Sequence, residues 1–93
     1  MSKINKIRTA VIGATGYTGL ELVFYLSKHP NIQINYLCAS KNLGKDISKF
    51  DKRIKKKLPK ISHQNLIKWE TLDLIFLSLP NGHAQKIIKK KFF

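Results

Sequence analysis

Hydrophobic and polar positions change their period twice near the start of the chain. Ile7–Ile12 is a short, mostly apolar run with β-branched residues, which is typical of a buried strand ending at Gly13. Over residues 16–28 the apolar positions recur at three- and four-residue spacing, which predicts a helix with one buried face. That face consists of Gly19, Leu22, Val23 and Leu26, and Glu21, Tyr25 and Lys28 fall on another.

A second strand is predicted directly after the helix. Pro30 lacks an N–H group and disfavours helical geometry at His29, so the helix should end there. In Ile32–Cys38, apolar and polar residues alternate with a period of two. A strand, a helix and a strand in about 30 residues form a βαβ unit, which predicts parallel strands with a right-handed crossover.

The rest of the chain shows weaker patterns. Residues 39–64 are polar and basic, which predicts a long surface loop with a helical turn around residues 47–50. Residues 65–69 are expected to form a short strand. Residues 73–79 are typical of a buried parallel strand, and residues 84–93 begin a basic helix.

These elements predict an α/β fold, a Rossmann-type parallel sheet with flanking helices. With 93 residues and 43% hydrophobic residues, the chain is expected to form one domain, about one half of a doubly wound fold. Its single cysteine excludes an intramolecular disulfide and a cysteine-rich zinc site, which favours a reducing, cytoplasmic setting. No apolar run approaches the roughly 20 residues needed to cross a bilayer, so no membrane span is expected.

A glycine-rich turn between the first strand and its helix is the strongest functional motif. In a βαβ unit this position holds the pyrophosphate of a dinucleotide, because helix N-terminal amides attract anions. Gly13 permits the tight turn, Gly16 lets backbone approach phosphate, and Gly19 lets the helix pack closely on the sheet. The candidate cofactor-binding residues are Gly13, Ala14, Thr15, Gly16, Tyr17, Thr18 and Gly19, with hydroxyl hydrogen bonds expected from Thr15 and Thr18. A structural turn without a ligand is the alternative.

The end of the second strand predicts which dinucleotide is bound. An enzyme that uses NAD commonly has an acidic residue here, on the ribose 2′-hydroxyl. This chain has Ser40 followed by Lys41, which suit a 2′-phosphate and favour NADP. The alternative is that Lys41 is one more solvated lysine in a basic loop.

Positive charge is the most prominent feature of the composition. Lys+Arg number 18 against five Asp+Glu, a net charge of +13, and nine of the basic residues lie in residues 41–60. Such a balance attracts polyanions, including nucleic acid. However, 16 of the 18 are lysines, as an A/T-rich coding sequence would produce without selection for binding. Because Phe50 is the only aromatic residue of the basic loop, the sequence does not favour nucleic-acid binding.

Four stretches together resemble the amino-terminal part of the N-acetyl-gamma-glutamyl-phosphate reductase family, within the semialdehyde dehydrogenase superfamily. They are Gly-Ala-Thr-Gly-Tyr-Thr-Gly-x-Glu-Leu at residues 13–22, His29-Pro30, the segment 37–45 with Ser40, Lys41 and Gly44, and the segment 73–82 with Leu79, Pro80 and Asn81. The resemblance implies NADPH-dependent reduction of an acyl phosphate to an aldehyde in arginine biosynthesis, through a cysteine thioester. It also implies that Leu79, Pro80 and Asn81 lie near the nicotinamide.

The resemblance also implies that this chain lacks the family's catalytic part. The family's nucleophilic cysteine, base histidine and substrate domain follow the region matched here, so residues 1–93 are expected to be an NAD(P)-binding domain fragment. Cys38 is not in the family's Asn-Pro-Gly-Cys setting, and none of the three histidines matches the family base. No catalytic residue and no metal-ligand spacing is therefore assigned.

Three functions remain open at the level of sequence. The first is the cofactor domain of a reductase, joined to the missing catalytic part or to a second copy of the chain. The second is a stand-alone dinucleotide-binding or sensing module without turnover. The third, ranked last, is a basic nucleic-acid-binding protein that uses residues 41–60 and the lysines of residues 86–91.

Overall fold

The computed structural model describes residues 6–78 and contains a helix beside a four-stranded sheet. The strands are β1 (Ile7–Ile12), β2 (Ile32–Cys38), β3 (Ile61–Ser62) and β4 (Leu74–Leu77), and the helix is α1 (Tyr17–Lys28). Short 3-10 turns occupy Ile47–Lys49, Gln64–Leu66 and Trp69–Thr71. The predicted strand, helix and strand at the start of the chain are confirmed, and so is the helical turn near residue 47.

The sheet is parallel throughout and has the strand order β3-β2-β1-β4. At the carboxyl end of β1, Ile12 lies opposite Cys38 of β2 and Leu77 of β4. The segments that follow these three strands therefore leave the sheet at the same edge, where ligands bind in open α/β sheets. The predicted Rossmann-type parallel sheet is confirmed.

Helix α1 covers one face of the sheet. Val23 and Leu26 are buried against Val11 and Leu37, whereas Glu21 and Tyr25 on the opposite side of the helix are exposed. The face predicted from the apolar spacing is therefore the buried one. The helix ends as expected, because His29 leaves helical geometry and donates its N–H to the Leu26 carbonyl oxygen.

The other face of the sheet packs on the segment between β3 and β4. Ala10, Ile12 and Cys38 form a second apolar cluster with Ile67 of that segment. The strand predicted at residues 65–69 is wrong, since this stretch contains two 3-10 turns instead.

A side-chain cap explains the first of these turns. The His63 imidazole accepts a hydrogen bond from the Asn65 amide through Nδ1, at 3.0 Å, and so starts the turn at Gln64–Leu66. Asn65 and Leu66 are exposed and only Ile67 is buried, so the stretch lacks the alternating burial of a strand.

The prediction of a surface loop over residues 39–64 is wrong in part, because the connection between β2 and β3 places side chains in the core. Ile47 and Ile54 are 3% and 2% exposed and join the apolar cluster on the α1 side of the sheet. The connection then ends in β3, which pairs with β2 at Leu37 and Cys38. Ile47, Phe50, Ile54 and Leu58 recur every three or four positions, a spacing that could have indicated a buried face, although only a short 3-10 turn forms here.

One arginine fastens this connection to α1. The Arg53 guanidinium donates to the Asp51 carboxylate at 2.6 Å and also pairs with the Glu21 carboxylate on the helix. The central carbon of this guanidinium group, Cζ, lies 4.3 Å from the centre of the Phe24 ring. Arg53 lowers the pKa of Asp51 through these hydrogen bonds.

A second ion pair joins the start of β1 to the start of β4. The Arg8 guanidinium contacts the Asp73 carboxylate through Nε at 3.0 Å, and the Arg8 backbone N–H donates to the same carboxylate. These hydrogen bonds lower the pKa of Asp73 to about 2. The predicted strand at residues 73–79 is observed as β4 over Leu74–Leu77, but the expected burial is wrong, since Leu74 is exposed and the other three residues are half-buried.

Some predictions fall outside the described residues. They are the helix at residues 84–93 and the site residues Leu79, Pro80 and Asn81. Within residues 6–78, α1 is too short and too polar for a bilayer span, and no other α-helix is present.

Candidate functional site

The glycine turn leaves the carboxyl end of β1 and is held by the neighbouring strand. Gly13 has a φ of +84°, a conformation that favours glycine. The amides of Gly13 and Ala14 both donate to the Cys38 carbonyl oxygen, at 2.8 and 2.9 Å. The backbone of this turn is therefore fixed to the end of β2, and these two amides already have acceptors.

Gly19 is required by the contact between α1 and the turn. A Cβ atom at this position would lie 1.9 Å from the Gly13 carbonyl oxygen and 2.9 Å from the Gly13 carbonyl carbon. Real Cβ atoms do not approach backbone so closely, so any side chain would force the helix away from the turn. The predicted role of Gly19 in close packing is confirmed.

Gly16 differs, because the protein itself places little demand on this position. Its φ is −74°, which any residue adopts, and a Cβ atom would have only one neighbour, the Gly13 carbonyl oxygen at 3.7 Å. Gly16 is also exposed. The bare backbone here leaves open space directly before the helix, which matches the expected approach of a phosphate group.

The first turn of α1 presents unpaired amides next to this space. No side chain caps the helix at Gly16, and no acidic residue lies in its first turn. Leu20 is the first amide of the helix to donate to a carbonyl, that of Gly16 at 2.8 Å. Within residues 6–78, the amides of Tyr17, Thr18 and Gly19 donate to no carbonyl. An anion fits this end of the helix, since these N–H groups and the helix dipole favour negative charge.

Side chains around the helix start leave this end open to solvent. Tyr17 is 95% exposed and Thr18 is also exposed, whereas Thr15 is half-buried and Ala14 is fully buried. Thr15 precedes the three free amides along the chain, and Thr18 carries one of them. The structure thus brings the predicted residues of the turn together at one end of α1.

Ser40 and Lys41 follow β2 at the same edge of the sheet. Both are exposed, and Lys41 has no acidic partner among the described residues. A tight turn behind them uses positive φ at Asn42 (63°) and Gly44 (84°). The Gly44 amide donates to the Ile61 carbonyl oxygen at 2.7 Å, which ties this turn to β3.

The anchoring of Ser40 and Lys41 by β3 was not predicted from the sequence. Its signal is the stretch Asn42-Leu43-Gly44, in which two residues that tolerate positive φ flank one other residue. The backbone on both sides of Lys41 is therefore fixed, because the amides of Ala39 and Gly44 donate to Ser62 and Ile61 of β3.

The described residues contain no activated nucleophile. Cys38 is buried, and burial raises the pKa of its thiol, which lies 3.9 Å from the Ser62 hydroxyl. A protonated thiol is a poor nucleophile. Over residues 6–78, no group of three histidine, cysteine or acidic side chains is placed to hold a metal ion.

The two described histidines have structural roles. The His29 imidazole accepts a hydrogen bond from the Asn31 amide through Nδ1, at 3.0 Å, and so shapes the turn after α1. His63 caps the turn at Gln64–Leu66. His83 lies outside the described residues.

Relatives share this segment over nearly its whole length. The chain is 42% identical over 87 residues to the N-acetyl-gamma-glutamyl-phosphate reductase of Ehrlichia ruminantium (strain Gardel), covering 91% of this chain and 25% of that protein. It is 36% identical over 85 residues to a probable chloroplastic N-acetyl-gamma-glutamyl-phosphate reductase of Arabidopsis thaliana, covering 90% of this chain and 21% of that one. The chain spans about a quarter or less of the length of these curated relatives.

Solved structures and family models agree with these relatives. Aspartate semialdehyde dehydrogenase from Candida albicans, solved with NADP, superimposes with a TM-score of 0.69 at 26% identity, over 91% of this chain and 26% of that one. Residues 8–92 match the family model described as "Semialdehyde dehydrogenase, NAD binding domain". The chain therefore belongs to the semialdehyde dehydrogenase family and comprises an NAD(P)-binding domain of that family.

Proposed function

We propose that this chain is the NADP-binding part of an N-acetyl-gamma-glutamyl-phosphate reductase, and that residues 1–93 form its cofactor-binding domain or a fragment of it. The observation that carries the proposal is the uncapped start of α1, where Gly16 leaves open space beside three amides without carbonyl acceptors. Relatives with this name cover 91% of the chain at up to 42% identity, which supports the choice of enzyme.

In the glycine turn, some residues would bind the pyrophosphate and others would define the shape of the turn. The amides of Tyr17, Thr18 and Gly19 are free to donate to phosphate oxygens, and the hydroxyls of Thr15 and Thr18 add donors beside them. Gly13 and Ala14 define the shape of the turn, since their amides are already bound to β2. Gly16 admits the ligand because it carries no side chain.

The segment after β2 would select the phosphorylated cofactor. Ser40 and Lys41 offer a hydroxyl and an ammonium without an acidic partner among residues 6–78, where an NAD-specific site commonly has a carboxylate. A 2′-phosphate would gain a charge-assisted hydrogen bond here. The family resemblance further assigns Leu79, Pro80 and Asn81 to the nicotinamide side.

The reaction that fits is reduction of an acyl phosphate to an aldehyde. When bound, NADPH supplies the hydride for such a reduction. The described residues bind and orient the cofactor, and the thiol they contain is buried with a raised pKa. The nucleophile that forms the thioester is therefore assigned to a part of the enzyme outside residues 6–78. We further propose that the chain works in a reducing compartment, the cytoplasm, since its one thiol is free.

Cofactor choice is tested by titrating the chain with NADPH and with NADH in a calorimeter. We expect tighter binding of NADPH, and we expect Lys41→Ala to weaken NADPH binding by about 10-fold or more while leaving NADH binding unchanged. Lys45→Ala is the matched control, because it removes an exposed lysine from the same connection. Equal affinities for the two cofactors in the unmodified chain would contradict the selection of NADP.

Reductase function is tested separately in a chimera. Residues 1–93 would replace the matching segment of the Ehrlichia ruminantium reductase, and reduction of the acyl phosphate would be followed by NADPH absorbance. Activity that depends on NADPH and is lost with Gly16→Val supports the proposal. A folded chimera that binds NADPH without turnover favours the alternative, a dinucleotide-binding module without turnover.

A further inference from the structure

A cavity of about 630 Å³ lies within the connection between β2 and β3. One wall of the cavity is strongly basic and is formed by Lys55, Lys56, Lys57 and Lys60. None of its lining residues belongs to the glycine turn, and neither Ser40 nor Lys41 contributes to it. The cavity is therefore separate in its residues from the proposed dinucleotide site.

The charge of this wall is not balanced within the described structure. Asp46 is the one acidic residue that lines the cavity, and its carboxylate pairs with Lys60 Nζ at 3.1 Å. Across residues 6–78, Lys55, Lys56 and Lys57 form no ion pair. These three consecutive lysines therefore create a positive potential that a bound anion would offset.

The remaining walls of the cavity are mostly apolar. Ile47 and Ile54 lie buried at its base in the core beside α1, and the apolar surface that a ligand can reach comes from the partly buried Leu58 and Pro59. Ser48 adds one hydroxyl. The cavity thus combines a fixed apolar base with a cationic wall, an arrangement that suits a molecule with both an apolar body and several negative charges.

We propose that this cavity binds a small organic polyanion, a molecule with phosphate groups on a compact, partly apolar body such as a nucleoside polyphosphate. Its volume lies within the roughly 300–1,000 Å³ of small-molecule sites. Nucleic acid is the less favoured ligand, because a cavity of about 630 Å³ holds one small molecule rather than successive nucleotides of a strand. This site acts in addition to the dinucleotide site and does not depend on its function.

The test uses ATP and inorganic tripolyphosphate as probes on the full chain, with calorimetry in the absence and in the presence of saturating NADPH. We expect ATP to bind at one site in both conditions. Tripolyphosphate, which lacks the apolar body, should bind several-fold more weakly than ATP. A triple variant Lys55→Gln, Lys56→Gln, Lys57→Gln should weaken ATP binding by about 10-fold or more, because it removes the unpaired cationic wall.

The matched control is the triple variant Lys45→Gln, Lys49→Gln, Lys52→Gln. It removes the same charge from exposed positions of the same connection that do not line the cavity. Circular dichroism establishes that both variants fold. We expect the control to change ATP affinity by less than about threefold, since it alters only long-range attraction that salt screens.

Four outcomes would overturn the proposal. They are no ATP binding, equal losses in the two triple variants, displacement of ATP by NADPH, and tighter binding of a single-stranded oligonucleotide than of ATP with steep salt dependence. Failure of the NADPH titration alone would count against the proposed function and would leave the ATP result intact.

Discussion

The glycine turn precedes β2 in the chain, and the connection between β2 and β3 follows it. The two regions are held by different kinds of contact. In the turn, backbone atoms make the contacts: the amides of Gly13 and Ala14 bind the end of β2, and Gly19 lies against the Gly13 carbonyl. In the connection, side chains make the contacts: Ile54 enters the core and Arg53 pairs with two carboxylates.

This difference determines what each region tolerates. A backbone contact at van der Waals distance leaves no space for an added atom, whereas a side-chain contact can be loosened by degrees. The turn should therefore respond to the smallest possible substitution. The connection should respond in proportion to the apolar surface or the charge that is removed.

The largest effect is expected from Gly19→Ala. The added Cβ atom would lie 1.9 Å from the Gly13 carbonyl oxygen, so α1 must move away from the turn. We expect a loss of about 3 kcal/mol in the free energy of unfolding and loss of measurable NADPH binding. Urea unfolding followed by circular dichroism and an NADPH titration measure the two effects.

Gly16→Ala is the matched control in the same turn. Its Cβ atom would have one neighbour, at 3.7 Å, and the backbone already has a φ of −74°. The free energy of unfolding should change by less than about 1 kcal/mol, because the weaker helix cap of alanine offsets the reduced freedom of the unfolded chain. NADPH affinity should nevertheless fall by about 10-fold or more, since the side chain enters the space for phosphate. Equal loss of stability in both variants would contradict the division of roles between these glycines.

A smaller loss is expected from Ile54→Ala in the connection. Ile54 is 2% exposed, and its truncation removes apolar contacts with the core beside α1. We expect the free energy of unfolding to fall by about 2–3 kcal/mol, near the low end for truncation of a buried isoleucine. The loss is limited because a connecting segment can move to fill part of the cavity that the truncation leaves. Urea unfolding tests this, with Lys52→Ala as the exposed control.

NADPH binding gives a second measurement for this variant. Because Ile54 is buried in the core and is not among the residues proposed to bind the cofactor, NADPH affinity at temperatures where the variant is folded should be unchanged within about twofold. A variant as stable as the unmodified chain would mean that the connection is a surface loop, as the sequence alone suggested.

The same contrast explains which parts of the molecule can be predicted from the sequence. The turn could be predicted because backbone geometry restricts residue type: Gly13 and Gly19 stand where a positive φ and a close contact demand glycine. Helix α1 and strand β2 could be predicted because their apolar positions repeat with a clear period, and β1 and β4 because they are short apolar runs.

The connection could not be predicted in this way. Its apolar residues Ile47, Phe50 and Ile54 are spaced as on a helix although only a 3-10 turn forms at Ile47–Lys49, and β3 contains only two residues, Ile61 and Ser62. Arg53 meets Glu21 across 32 positions of sequence, a contact that no local pattern indicates. The candidate site was predictable only where it follows strands β1 and β2, and the cavity in the connection was not predicted.

The smallest effect is expected from acid, and it should distinguish the two regions. Arg53 holds the pKa of Asp51 below its ordinary value of 3.8, so the pair contributes its full stability above about pH 4 and loses it as the pH falls through the lowered pKa. The glycine turn contains no ionisable carboxylate and should keep its contacts over this range. Two amides report on the regions: Ile54, which donates to the Asp51 carbonyl at 3.1 Å, and Leu20, which donates to the Gly16 carbonyl at 2.8 Å.

Hydrogen exchange of these amides tests the expectation. Between pH 5 and pH 2.5, the protection factor of the Ile54 amide should fall relative to that of the Leu20 amide. Arg53→Gln should already lower Ile54 protection at pH 5 and so remove most of the fall between the two pH values. Asp73→Asn serves as the control, because Asp73 has a lowered pKa but acts between β1 and β4. If Ile54 and Leu20 lost protection in parallel, the connection would not be fastened by its ion pairs, and its buried isoleucines alone would hold it on α1.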